Sequence, residues 1–165
     1  MDIKKIVVGE LEENCYIITK GQKCLVIDPG DEFLKIDKEL KGKEIVGCLV
    51  THFHPDHIGA LEDLLSKYDI EVNKDFTKYF DYEVIHFPGH TYDSKVFYFK
   101  KDNIMFTGDF IFKSSIGRTD LGGNDLDMQE SLEKISKYPE DTILYPGHGD
   151  ETILGREIPR FKYYY

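Results

Sequence analysis

The sequence predicts an α/β fold, and three observations carry that expectation. Short β-branched or apolar runs recur along the chain, as at 3–8, 24–27 and 45–50. Between them lie segments whose apolar residues fall at helical spacing, such as Phe33, Ile36 and Leu40. Alternation of this kind packs helices against sheets. The third observation is a recurring strand end: an extended run, a tight turn, then a His or Asp, at 51–57, 88–91, 107–109 and 146–149. A fold that gathers strand ends at one edge brings such side chains together.

Each element has its own signal. Strands are expected at 3–8, 15–19 and 24–27, punctuated by Gly9, Gly21 and the Asp28-Pro29-Gly30 turn. A helix follows over about 32–40, then a strand at 45–50 that delivers Thr51. A second helix starts near Pro55 or Asp56, since proline suits a first turn, and presents Ile58, Leu61, Leu65 and Tyr68 on one face. Strands at 83–87, 96–99 and 104–106 come next, the last two flanking Lys101-Asp102-Asn103. A Gly- and Ser-rich loop covers 112–124. Asp127 with Glu130 resembles a capping box for a third helix, whose core side is Met128, Leu132 and Ile135 and whose stop is Pro139. A final strand spans 142–145, the tail from Arg156 is short, basic and aromatic, and its Tyr163-Tyr164-Tyr165 end is expected to fray.

Composition bounds the function. The 165 residues suit a single domain over 1–165 with a real core, and 41% hydrophobic with 32% charged residues describes a folded chain. A net charge of -10 argues against nucleic acid as a partner, because phosphate binding needs a basic surface. No apolar run reaches the length of a membrane span, and the one after Met1 is too short for a signal peptide. A cytoplasmic location, no membrane and a small-molecule substrate are therefore expected, while nothing specifies an oligomeric state. Cys15, Cys24 and Cys48 are odd in number and form no C-x-x-C pair, which reads as reduced, mostly buried thiols.

The chemistry lies in the histidines. Five of six fall in three motifs, and Thr51-His52-Phe53-His54-Pro55-Asp56-His57 holds three of them. His52 and His54 are two apart, so on an extended segment they point to one side. Asp56 and His57 lie past the turn and address a second position. Gly89, Gly108, Gly147 and Gly149 permit the turns that aim His90, Asp109 and His148 inward. Any one of these three alone reads as a structural residue; their company with the first motif reverses that. Seven imidazole and carboxylate ligands exceed one tetrahedral ion and suit two ions sharing a carboxylate. Asp109, the sole carboxylate of the later motifs, is the expected bridge. Zinc is the default metal, with iron or manganese also compatible. Ions about 3.5–4 Å apart hold a hydroxide between them, so the expected reaction is hydrolysis at a carbonyl or phosphorus centre. Asp56 is the expected catalytic carboxylate, orienting or deprotonating that water.

These residues resemble a known family. The first motif is similar to the T-H-x-H-x-D-H signature of the metallo-β-lactamase superfamily, and Pro88-Gly89-His90-Thr91, Thr107-Gly108-Asp109 and Pro146-Gly147-His148-Gly149 match its later motifs in order. The resemblance implies a four-layer αβ/βα sandwich. It also implies one metal on His52, His54 and His90, a second on Asp56, His57 and His148, and Asp109 between them. Gly117-Arg118-Thr119-Asp120 is shared with glyoxalase II-like hydrolases and persulfide dioxygenases. Class B lactamases lack the bridging Asp, and flavodiiron proteins carry Glu where His54 stands, which argues against both activities. The segment 58–89 is short for the family, and no helical domain follows His148.

The resemblance points to a dinuclear hydrolase of a thioester or related small acyl substrate. The alternatives are a mononuclear iron persulfide dioxygenase on His52, His90 and Asp109, and a non-catalytic metal-binding protein. Arg118 is a candidate substrate contact, although an ion pair with Asp120 holding the loop is the plainer role. Asp28 is expected either to cap its turn or to support a ligand, His86 to be buried or to support the site, and Ser114 and Ser115 to be loop residues.

Overall fold

In a computed structural model describing residues 1–165, the contacts divide the chain into two compact units, Met1–Asp81 and Tyr82–Tyr165. Both combine a sheet with helices, so the α/β class is borne out.

The first unit opens with β1 (Asp2–Val8), β2 (Glu13–Lys20) and β3 (Lys23–Ile27), followed by α1 (Phe33–Leu40), β4 (Glu44–Leu49), α2 (Pro55–Ile58) and α3 (Leu61–Lys67). The sheet order is β1-β2-β3-β4. The first two pairings are antiparallel, and β3 pairs with β4 in parallel. A parallel pair needs a crossover, and α1 supplies it. Period-two alternation sets the face of β1: Ile6 and Val8 point into the core while Val7 is exposed. Ile36 and Leu40 of α1 close that core with Ile17, Cys24 and Val26. Complete burial of side chains of this size contributes about 1.5–3 kcal/mol each.

The single helix expected after Pro55 is two helices. The chain breaks between α2 and α3, where Ala60 N donates to Pro29 O at 3.0 Å. The break rotates the apolar face, so Leu64 is buried and Leu65 faces outward, with Leu61 and Tyr68 partly buried beside it. Beyond α3, Val72 makes a parallel bridge to Cys48. The Asn73 side chain accepts from Val50 N (2.8 Å) and donates to Val50 O (3.1 Å). That amide completes the backbone bonding of the residue immediately before Thr51.

The second unit contains β5 (Glu83–His86), β6 (Lys95–Phe99), β7 (Ile104–Gly108), β8 (Ile111–Phe112), β9 (Ser115–Ile116), α4 (Asp125–Ile135), β10 (Ile143–Pro146), β11 (Thr152–Ile153) and α5 (Leu154–Phe161). Its main sheet runs β11-β10-β7-β6-β5, with β8 and β9 as a separate hairpin. β7 and β10 are parallel, joined across α4, and the other pairs are antiparallel. Every residue of β7 is buried, which is why its sequence is continuously apolar up to Thr107. Met128, Leu132 and Ile135 face the core from α4 as expected, against Phe87, Met105 and Leu144.

Three details depart from the sequence reading. The cap of α4 is Asn124, whose side chain accepts from Asp127 N at 2.9 Å, so the helix is capped three residues upstream of the expected Asp127, with no box because Asn124 N donates to Gly89 O. The loop at 112–124 begins with the β8–β9 hairpin. The chain after His148 forms β11 and then α5 despite Pro159, because Leu154 is fully buried and anchors the helix start, and the Tyr163-Tyr164-Tyr165 end lies beyond that helix. No helix is long and apolar enough to cross a membrane. The three cysteines are free and buried, as expected.

Candidate metal centre

In the first unit the site is built on adjacent strand ends. β3 and β4 run in parallel, so Asp28 leaves one strand beside Thr51 leaving the other. Asp28 N donates to Leu49 O (3.0 Å), and its carboxylate accepts from Thr51 N (2.7 Å) and from the Thr51 hydroxyl (2.6 Å). The same carboxylate oxygen lies 3.0 Å from His57 Nδ1. A carboxylate accepts, so His57 carries its proton on Nδ1 and presents a bare Nε2. The Thr51 hydroxyl gives its proton to Asp28 and can only accept from His52 Nδ1, at 3.1 Å. His52 therefore also presents a bare Nε2.

Those nitrogens meet further donors. His52 Nε2 lies 3.1 Å from His54 Nδ1, and His57 Nε2 lies 3.7 Å from Asp56 Oδ2. The His52 and His57 rings are 4.2 Å apart between centroids. Two ligands on one ion at bonds of about 2.0–2.1 Å stand roughly 3–3.5 Å apart, so His52 with His54, and Asp56 with His57, each have about the spacing of co-ligands on a divalent ion. His52 and His57 are buried, while His54 and Asp56 are partly exposed, which leaves access from solvent.

In the second unit His90 follows β5, Asp109 follows β7 and His148 follows β10. The parallel β7–β10 pair sets the last two side by side, and Gly147 N donates to Gly108 O at 2.8 Å. Asp109 Oδ2 lies 3.6 Å from His90 Nε2 and 3.5 Å from His148 Nε2. His90 Nδ1 donates to the Arg118 carbonyl at 2.7 Å, again leaving Nε2 bare. Gly117 makes that approach possible: a Cβ there would sit 1.8 Å from Asp109 O. Of the four turn glycines, Gly89, Gly108 and Gly149 have positive φ and Gly147 does not.

All seven sequence-predicted ligands thus fall into two convergent sets, one in each unit. Arg118 and Asp120 make a two-pronged pair with both contacts at 2.6 Å, both exposed. The guanidinium holds the Asp120 carboxyl down at about 2. His86 is exposed rather than buried: only Ile85 of its strand is buried, and its Nε2 reaches Tyr92 O at 2.7 Å. Glu13 was not legible. It is 1% exposed, and Oε1 lies 3.7 Å from His57 Nδ1, so with Asp28 it surrounds that imidazole with two buried carboxylates. Its sequence signal was faint: an acidic residue at the head of the Cys15-Tyr16-Ile17-Ile18 run.

Comparison with known proteins follows the same lines. The model of the metallo-beta-lactamase superfamily matches residues 8–72 and 80–148. The hydroxyacylglutathione hydrolase GloC of Haemophilus influenzae is 27% identical, covering 95% of each chain. Among solved structures, the BLEG-1 B3 metallo-beta-lactamase superposes with a TM-score of 0.88 at 28% identity, over 99% of both chains. TTHA1623 in a di-iron-bound form gives a TM-score of 0.85 at 30% identity, over 93% of this chain and 96% of that one.

Proposed function

The chain belongs to the metallo-beta-lactamase superfamily, and on that premise we propose that it is a dinuclear metallohydrolase acting on a thioester or related small acyl substrate. The observation that carries the reading is Asp109. One of its oxygens stands 3.6 Å and 3.5 Å from two imidazole nitrogens delivered by separate turns. Those distances are long for hydrogen bonds and suit co-ligands, and a carboxylate between two histidines is the natural bridge.

In this reading His52, His54 and His90 hold one ion, Asp56, His57 and His148 the other, and Asp109 both. Held by these residues, divalent ions would supply an acidified water and Lewis-acid polarisation of the acyl oxygen. The protein's own groups do the remaining work. Asp28 and the Arg118 carbonyl fix the tautomers of His57 and His90. Asp56, partly open to solvent, would orient the water and take its proton on the carboxylate oxygen that the ion leaves unused. Zinc is the first expectation for the metal, and the likeness to a di-iron protein makes iron the next, with manganese also suited to the donors. The likeness to GloC along nearly the full length of both chains supports a thioester; the likeness to BLEG-1 adds a β-lactam to the panel worth assaying.

The test is metal content by mass spectrometry, paired with hydrolysis of a hydroxyacyl glutathione thioester and of a β-lactam. Two ions per chain with thioester turnover is the expected result. Asp109→Ala should lose metal and activity together, and two ions at full occupancy in that variant refute the bridge. Oxygen uptake on a glutathione persulfide with one iron per chain would replace the hydrolase by a dioxygenase. Absence of turnover across thioesters, lactones and phosphodiesters would leave a binding protein.

A further inference from the structure

We propose that a cleft beside His148 is a specificity subsite that receives a carboxylate at the far end of the acyl group, with Lys113 as its cation. The proposal rests on the hydrolase reading and names the substrate class within it. The cleft has a volume of about 340 Å³ and is lined by Phe112, Lys113, Ser115, His148, Gly149 and Asp150. That size suits a short chain of a few heavy atoms.

Its chemistry is mixed in a specific way. The Phe112 ring stands edge-on to His148, with centroids 6.0 Å apart, and gives an apolar wall for methylenes. The Ser115 hydroxyl and the Lys113 ammonium provide donors. The lining carries one ammonium, Lys113, balanced by one carboxylate, Asp150, so an incoming carboxylate gains its donor by taking the place of Asp150. Lys113 Nζ is held 3.0 Å from the Asp150 carboxylate, with both side chains more than half exposed. Exposed ion pairs are weak, so a substrate carboxylate exchanges with Asp150 at little cost. His148 lines the cleft and also faces Asp109, so a chain lying along the Phe112 wall starts beside the reacting atoms.

The wall is braced from behind. Lys113 and Ser115 flank Ser114, the left-handed turn residue of the β8–β9 hairpin. Ser114 N donates to Glu157 Oε2 (3.0 Å), whose other oxygen accepts from the Thr152 hydroxyl (2.6 Å). The Tyr164 hydroxyl donates to Ser114 O (3.2 Å). Glu157 is 3% exposed, so a buried carboxylate from α5 holds the hairpin in place. A pre-set wall lowers the ordering cost of binding, and Glu157 is a positioning residue for Lys113.

The experiment compares S-succinyl and S-butyryl thioesters of N-acetylcysteamine, which share chain length and thiol and differ in the terminal carboxylate. Lys113→Met should lower the succinyl-to-butyryl ratio of kcat/KM about tenfold, carried by KM, as expected for loss of one charged hydrogen bond. Lys113→Glu should lower it further, and Asp150→Asn should raise it by freeing the ammonium. Glu157→Gln should lower it less than Lys113→Met. An unchanged ratio in both Lys113 variants overturns the subsite. So does a Lys113 effect that follows the thiol, seen as an altered preference between glutathione and N-acetylcysteamine for one acyl group. If the wild-type protein hydrolyses neither thioester, the hydrolase reading is judged by the wider panel above, and calorimetric binding of succinate against butyrate to zinc-loaded protein judges the subsite alone. A preference for succinate lost in Lys113→Met supports it; equal binding in both proteins overturns it.

Discussion

Asp28→Asn is the most informative single perturbation of the first unit. The backbone permits it, because Asp28 sits at φ 50° and Asn tolerates the left-handed region as well as Asp. The side chain does not permit it without loss. Asp28 accepts from Thr51 N, from the Thr51 hydroxyl and from His57 Nδ1, at 2.7, 2.6 and 3.0 Å. An amide keeps one acceptor oxygen, which serves Thr51 N, and turns a donor toward the other two. The hydroxyl can reverse and accept. His57 can answer only by moving its proton to Nε2, the atom that faces Asp56. Loss of one charged hydrogen bond in a buried setting costs about 2 kcal/mol. At a urea m-value of roughly 2 kcal/mol/M, the unfolding midpoint of metal-free protein falls by about 1 M. Metal affinity should fall roughly 10- to 100-fold, the usual cost of losing such a support. Equilibrium urea unfolding and metal competition titration read the two effects separately. An Asp28→Asn protein with the wild-type midpoint and affinity refutes the tautomer argument.

Gly30→Ala should be destabilising by about 1–3 kcal/mol, since its Cβ would lie 2.0 Å from Asp56 O and 2.3 Å from Glu13 Oε2. Metal content and urea midpoint should fall together, and an unaffected midpoint would show that the α2 start gives way freely. Alkaline pH should also weaken the fold. Burial pushes the Cys24 thiol up to about 11, against a partial offset from Lys43, and raises Cys15 and Cys48 well above the usual range. A thiol that ionises more readily unfolded than folded contributes stability that is complete below the unfolded pKa and is lost as pH rises through the folded one. Urea midpoints should therefore drop between about pH 9 and 11. Cys24→Ala should flatten part of that drop, and a pH-independent midpoint across the window would contradict it.

The fold was legible where burial is one-sided or complete. Strands such as β1, β3 and β7 declare themselves by alternation or by continuous apolar runs, and α4 by Met128, Leu132 and Ile135. Legibility failed where a tertiary contact decided a local matter. Ala60 bonding to Pro29 splits one helical pattern in two, and a buried Leu154 makes a helix of a tail with a proline in it. The His and Asp motifs that cluster were legible because seven chemically specialised side chains sit at fixed offsets. Asp28 was legible as one alternative for its turn, and it does contact His57. Glu13 acts from a strand far from the motif in sequence, and no spacing rule connects it to His57.

Arg118 shows the same limit from the opposite side. The Gly117-Arg118-Thr119-Asp120 run draws the eye to a guanidinium, yet the guanidinium is engaged by Asp120 and it is the Arg118 carbonyl that accepts from His90. What position 118 contributes to the histidine is main chain, available from any residue, and what makes its placement possible is the missing Cβ of Gly117. The three supported histidines then differ in kind. His57 leans on a buried carboxylate with a second close by, His52 on a hydroxyl and His90 on a neutral carbonyl. A negative acceptor makes an imidazole more electron-rich than a neutral one does. His57 is therefore the most basic nitrogen donor of the three, and a divalent ion held by Asp56 and His57 would meet stronger donors than one held by His52 or His90.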